Sequence, residues 1–384
     1  MHSLLSSECP PASLRVMMTA DGTEGVWTYA MELARALDPW GVEILLAVMG
    51  PALSEEQREE AARLEHLVLC QEPFALEWMK DPWRDVTEAG DWLLELEELF
   101  APGVVHLNHY CHGSLPWSSP VMITAHGCVL SWWQAVHGEE SPRSWTRYHA
   151  EVSAGLRGAN IVSASTQAVL DGLIRLYAPL PRLMHFQHTA RFPEFRKIPR
   201  GCDARRFRPL LKRDYVLSVG FAEDEAQNLE ALHTAAKGLP WPVVLVGREP
   251  MREERNNAWP HLVCLDSLTT AGLASKMGHA EIFAQPSRYD PFGFTALGAG
   301  LAGCALVLGD IPTLRETWGE AALFVPPDDP EALHAVLHAL TDDAPLRREM
   351  ADRARQTALA QTPDRMARST LDSYHALAVP QMLA

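Results

Sequence analysis

The chain has 384 residues, 47% of them apolar and 21% charged, the balance of a globular protein with room for two cores. A formal net charge of −16 argues against nucleic acid or an anionic membrane surface as the main partner. No apolar run reaches the roughly 18 residues of a spanning helix. Residues 1–14 carry no signal-peptide pattern, and the seven scattered cysteines, with no C-x-x-C, give neither a disulfide framework nor a zinc knuckle, so a cytoplasmic protein is expected.

Leu14 to Ala20 reads as the first strand, followed by Asp21 to Gly25 and an amphipathic helix through Tyr29, Leu33 and Leu37. Strand, glycine loop and helix form the opening unit of a doubly wound domain. Val42 to Val48 supplies the next strand, Leu53 to Arg63 a Glu-rich surface helix, and Leu67 to Cys70 a short third strand. From Phe74 to Phe100 the pattern is helical and acidic, with Trp78, Trp83 and Trp92 on it. Nine of the twelve tryptophans precede residue 150, which fits either core and helix packing or a flat, sugar-like acceptor stacked in a cleft. Val104 to Asn108 and Val121 to Gly127 are buried-strand runs ending in polar residues, where parallel strands present functional groups. His106, His109 and His112 straddle a strand end and a glycine turn without an acidic ligand, so no metal site is expected of them. Trp132 and Trp133 open the helix after His126, Ser144 to Leu156 is helical, and Gly158 to Gln167 is a strand-to-helix step.

Pro209 and the charges between Arg208 and Arg213 interrupt the alternating pattern and mark a domain boundary. Tyr215 to Gly220, Val243 to Gly247, His261 to Leu265, Glu281 to Gln285, Ala305 to Leu308 and Ala322 to Val325 are the strands of the second half, with a helix from Thr270 to Met277. Asp328 to Leu333 opens a helix with acids in its first turn, as the dipole favours. Between Gln285 and Ala302 a strand gives way to a turn of Pro, Ser and Gly and then to a helix of small residues, whose N-terminus suits a phosphate. No repeat of fixed short period is present. The expected fold class is α/β, with two doubly wound, Rossmann-like domains.

The run from Pro286 to Gly303 resembles the donor-site segment of the family-4 retaining glycosyltransferases, P-S-x-x-E-x-F-G-x-x-x-x-E-A-x-x-x-G. Pro286, Ser287, Phe292, Gly293, Ala299 and Gly303 match in register. Thr124 to Gly127 resembles that family's T-x-H-G, Gly158 to Gln167 its A-D-x-V-V-A-x-S, and Ile198 to Pro209 its I-P-N-G-x-D-x-x-x-F-x-P. The resemblance covers nearly the whole chain from Leu14 on. It implies the GT-B fold, in which the two domains face each other across a cleft. Residues 1–208 would form the acceptor side and 209–365 the donor side, with the last helix, about 366–384, returning to the first domain. It further implies a nucleotide-sugar donor as substrate, a small-molecule acceptor, retention of configuration, and no requirement for a metal or other cofactor. The catalytic positions it assigns are His126, facing the sugar, and Asp290, a shortened carboxylate at the first acidic position. The donor-binding positions are Gly25, Gly220, Phe221, Gln227, Phe292, Gly293 and Gly298; for Gly25 a plain tight turn is an equally good reading.

The departures from the family pattern are concentrated at the donor. The second acidic position, which holds the ribose in the family, is Gly298, and the Arg and Lys that hold the diphosphate are replaced by Phe221 and Gln227. Losing two preorganised charge donors costs roughly 10⁴–10⁶ in rate if the effects add. Arg248, Arg288, Arg315, Lys197 and Arg200 are the substitute cations the sequence offers. The pocket becomes less charged, and Phe221 and Gly298 make it more apolar or roomier. Two functions fit: a glycosyltransferase that is weak or has an altered donor, and a catalytically impaired homologue that binds a small, partly apolar ligand in the interdomain cleft.

Overall fold

The computed structural model describes residues 14–177, 193–247, 259–291 and 293–378. The first half runs β1 (Arg15–Asp21), α1 (Glu24–Leu37), β2 (Glu43–Met49), α2 (Glu55–Ala62), β3 (Leu67–Gln71), α3 (Trp83–Phe100), β4 (Val104–Leu107), β5 (Val121–Ala125), α4 (Val129–His137), α5 (Thr146–Gly158), β6 (Ile161–Ala164), α6 (Gln167–Tyr177) and β7 (Glu194–Lys197). The second runs β8 (Arg213–Val219), α7 (Leu229–Ala236), β9 (Val243–Val246), β10 (Leu262–Leu265), α8 (Thr270–His279), β11 (Ala280–Gln285), α9 (Phe294–Leu301), β12 (Ala305–Gly309), α10 (Pro312–Trp318), β13 (Leu323–Val325), α11 (Pro330–Asp342), α12 (Ala344–Leu359) and α13 (Pro363–Ala378).

The strands form two wholly parallel sheets, ordered β3-β2-β1-β4-β5-β6-β7 and β10-β9-β8-β11-β12-β13. Both faces of each sheet are covered by helices, which is why most strands read as continuous apolar runs. Along β1, Val16, Met18 and Ala20 point into a core shared with α1 and α13, while Met17 points into the core under α3 and α5. The strand order reverses between β1 and β4 and again between β8 and β11, so each sheet opens a crevice at the carboxyl ends of those strands. Helix α13 packs on the first sheet: Met366, Ala367, Leu371 and Tyr374 are buried against α1 and the strands. The fold is therefore the expected α/β pair of doubly wound sheets.

One local expectation needs correction, and one strand has no counterpart in the sequence reading. The helix expected from Phe74 begins instead at Trp83, because Asp81 takes a left-handed φ of 48° and Pro82 becomes the N-cap. The edge strand β7, Glu-Phe-Arg-Lys, has no apolar alternation to announce it and exists through its pairing with β6.

Candidate active site

On the first-domain wall, His126 follows β5 and is held by a chain of hydrogen bonds that starts at β1. Asn108 donates its backbone N–H to Thr19 Oγ1 (2.9 Å) and its amide to the Thr19 carbonyl (2.7 Å), which fixes its side-chain oxygen outward. That oxygen lies 2.7 Å from His126 Nε2 and can only accept, so the imidazole proton is on Nε2. Tyr29 packs against the ring at 4.7 Å between centroids. Burial, reinforced by the charge of Arg200 and by His106 and His109, holds the His126 pKa well below the ordinary value, so the ring is neutral at physiological pH.

Beneath it lies a buried polar network. His106 bonds Tyr374 Oη and Thr124 Oγ1, both at 2.6 Å, and Thr124 Oγ1 also contacts Ser163 Oγ and Tyr29 Oη. His109 bonds Asp21 at 3.1 Å and His112 bonds the Val86 carbonyl at 3.0 Å, so the three imidazoles share no partner. Burial works to raise the Asp21 pKa, but His109 and the Thr23 hydroxyl and N–H outweigh it and hold the carboxyl below its usual range. Gly25 lies in the first turn of α1 and offers its carbonyl to Arg200. The aromatic load of this half is largely packing: Trp27 donates to Glu60, Trp117 to the His112 carbonyl, and Trp83 lies under Arg147.

On the second-domain wall, Asp290 builds the loop ahead of α9. One carboxylate oxygen accepts the Gly293 N–H at 2.6 Å, the other accepts the Gln285 amide at 3.0 Å, and Thr313 Oγ1 donates to its carbonyl. Gly293 is the N-cap of α9, with a φ of 59° that favours glycine. Phe292 lies outside the described residues. After β8, the Phe221 N–H donates to Gln227 Oε1 at 2.7 Å, so Gln227 folds back on its own loop, against the face of Gly220. Asn228 stitches this loop to its neighbours by donating to the carbonyls of Pro286 and Pro327. The space expected beside Gly298 is filled: a Cβ there would lie 3.0 Å from the Phe207 ring and 3.2 Å from Met277 Sδ.

The walls meet directly. Tyr289 Oη is 2.7 Å from Ser131 Oγ and accepts the Cys128 N–H, and Ser165 Oγ donates to the Pro291 carbonyl. Glu316, on α10, accepts the first N–H groups of α6, from Gln167 and Ala168, and pairs with Lys197. Gly127 has a φ of +98°, and a Cβ on it would lie 2.5 Å from Tyr289 Oη, so both conformation and close approach require glycine there. Of the substitute cations, Arg248 lies outside the described residues; Arg288 holds Asp328, Arg315 holds Asp310 and Lys197 holds Glu316. Arg200 alone of the four described lies in the cleft, 5% exposed, lining it with Asp290 and Gly293.

Residues 24–185 match the glycosyl transferase 4-like domain and residues 203–357 the glycosyl transferases group 1. The chain belongs to the family-4-like glycosyltransferases of the GT-B fold. This GT-B chain is 27% identical over 208 residues to a phosphatidyl-myo-inositol mannosyltransferase of Mycolicibacterium smegmatis, covering 47% of this chain and 54% of that protein. It is 26% identical over 292 residues to a glycogen synthase of Mycobacterium tuberculosis, covering 71% of this chain and 64% of that one. The matches thus span about half to two thirds of these relatives' lengths. Among solved structures, the fold is shared with sucrose-phosphate synthase from Thermosynechococcus elongatus (TM-score 0.76, 16% identity, 95% of this chain and 99% of that one). It is also shared with Anabaena HepE in complex with UDP-glucose (TM-score 0.71, 14% identity, 95% and 100%). Among the described residues no helix is long and apolar enough to cross a membrane.

Proposed function

We propose that this GT-B protein transfers a sugar from a nucleotide-sugar donor to a small-molecule acceptor with retention, through a donor site that lacks the family's usual phosphate cations. One observation carries the reading: the His126 loop at the carboxyl end of the first sheet lies against the Asp290–Gly293 loop at the carboxyl end of the second, in contact through Tyr289. The names of the relatives, a mannosyltransferase and a glycogen synthase, and the UDP-glucose complex of HepE support it. In such a transfer the bond from the sugar carbon to the diphosphate breaks. The bond to the acceptor oxygen forms on the same face through an oxocarbenium-like transition state, and the leaving phosphate takes the acceptor's proton. A neutral His126 suits that place, because an imidazolium beside a carbon gaining positive charge would raise the barrier. Each Asp290 oxygen can accept more than one hydrogen bond, so the carboxylate that shapes the loop is also able to take a sugar hydroxyl. The α9 N-terminus turns its dipole toward the diphosphate.

The cavity that Ser165, Arg200, Asp290 and Gly293 line between the walls has a volume of about 20 Å³, room for roughly one water. A small-molecule site needs about 300 Å³ or more. A donor whose diphosphate takes this cavity therefore requires the walls to part, and the contacts of Tyr289, Ser165 and Glu316 are among those that join them. A second reading, an impaired homologue holding a small, partly apolar ligand in the cleft, is favoured by a separate observation. Gln227 spends its side chain on the Phe221 N–H, and the segment between those two residues carries Glu223, Asp224 and Glu225 rather than a cation.

Thermal unfolding with millimolar uridine, adenosine and guanosine diphosphates, and with their sugars, tests the choice. At least one should raise the melting temperature, since a ligand at a hundred times its dissociation constant adds about 2.7 kcal/mol to the folded state. No shift with any of them sinks the transferase reading, and a co-purifying small molecule found by mass spectrometry supports the second.

A further inference from the structure

We infer that Arg200 supplies, from the first domain, the positive charge that meets the donor's diphosphate. The inference rests on the transferase reading above and adds to it the residue that replaces the absent cations. Its guanidinium is wedged between the N-terminal turns of two helices from opposite domains. Nη2 donates to the Gly25 carbonyl on α1 at 2.7 Å, and the guanidinium carbon lies 5.6 Å from the Tyr29 ring centroid and 5.1 Å from that of Phe294, the first residue of α9. Phe294 brings Arg200 to the end of α9 where unpaired backbone N–H groups point outward, so the cation and the helix dipole address the same small space.

The charge survives burial. Desolvation lowers the Arg200 pKa to about 10, against which the charges of Asp290 and Glu32 stabilise the cation, and at neutral pH it stays protonated. Aromatic faces hold a guanidinium flat and desolvated, which strengthens a forked contact with phosphate oxygens over that of a lysine. Arg288, Arg315 and Lys197 are each committed to a carboxylate at exposed or half-exposed positions. In the I-P-x-G stretch of this chain, position 200 is where the family pattern has Asn, so the sequence gains a cation on one wall as it loses two on the other.

Isothermal titration of the full chain with uridine, adenosine and guanosine diphosphates, each beside its nucleoside, tests the inference on wild type, R200Q and R200K. The diphosphate that binds wild type should bind R200Q about ten- to a hundredfold more weakly, the worth of a hydrogen bond to a charged group, with R200K in between. Affinity for the matching nucleoside should change by less than about twofold, because the charge faces only the phosphates. Equal diphosphate affinity in wild type and R200Q overturns the inference while leaving the transferase reading intact. So does a parallel loss for diphosphate and nucleoside, which marks a structural role. If wild type binds no diphosphate, the transferase reading falls and takes this inference with it. If R200Q shows no melting transition, R200K decides: a loss of about threefold or more supports the role, and unchanged affinity refutes it.

Discussion

Replacing His106 with glutamine isolates one protonation in the network beneath His126. The wild-type imidazole is fully buried, with Tyr374 Oη and Thr124 Oγ1 each 2.6 Å from a ring nitrogen, and burial pushes its pKa down to about 3. In the unfolded chain the same group titrates near 6.5. Because the folded value lies below the unfolded one, the unfolded chain takes up the proton first, and stability falls as pH drops through about 6.5 and on toward 3. For one such group the loss between about pH 7.5 and pH 5 is about 2 kcal/mol. His112 and His126, also depressed by burial, add to the wild-type slope in the same direction. Asp21, held below its usual range, contributes stability that is lost only at lower pH, as its carboxyl is protonated, so the window from about pH 5 to pH 7.5 reads the imidazoles. Urea unfolding followed by tryptophan fluorescence measures it. H106Q keeps a donor and an acceptor between Thr124 and Tyr374 but cannot titrate. It should be less stable at pH 7.5 by about 1–3 kcal/mol through imperfect bonding. Between pH 7.5 and pH 5 it should lose about 2 kcal/mol less than wild type does. Equal slopes in the two proteins would refute the reasoning.

His126→Ala should lower the rate of sugar transfer about ten- to a hundredfold through lost positioning, with diphosphate affinity held within about threefold; equal losses in both would place His126 in donor binding instead. Gly298→Glu restores the family's residue type but drives a buried carboxylate into Phe207 and Met277. It should cost several kcal/mol by overpacking and unpaired burial, read as a lower melting temperature with no gain in diphosphate affinity. Tighter diphosphate binding at unchanged stability would show that Phe207 yields the space.

Much of the fold was legible because parallel sheets covered on both faces demand apolar strands. Val121 to Ala125 and Ala305 to Gly309 are buried throughout and stand out as such in the sequence. β7 was not legible, since an exposed edge strand with Glu, Arg and Lys carries no such signature. At the site, the motif positions were readable but their partners were not. That Gln227 folds back onto the Phe221 N–H goes with a turn through Asn228, whose φ of 56° is a conformation that Asn favours but that the sequence alone does not fix at this position. That Phe207 occupies the space beside Gly298 is a contact between segments far apart in the chain. Arg200 was readable as one of five candidate cations, and its burial in the cleft between Gly25, Tyr29 and Phe294 separates it from the other three that are described.

Moving a phosphate-binding charge from the donor domain to the acceptor domain changes what donor affinity depends on. Two unit charges 4 Å apart interact by about 4 kcal/mol in the intermediate dielectric near a protein surface and about 1 kcal/mol in water. A cation on the donor's own domain exerts its pull whether the cleft is open or closed. Arg200, reaching across from the segment that leads out of the first domain, touches Gly25 on one wall and Phe294 on the other. On the inference that Arg200 meets the diphosphate, donor affinity depends on how far the walls close, so the contacts that hold them together, Tyr289 on Ser131, Ser165 on the Pro291 carbonyl and Glu316 on the first turn of α6, act on it without touching the donor.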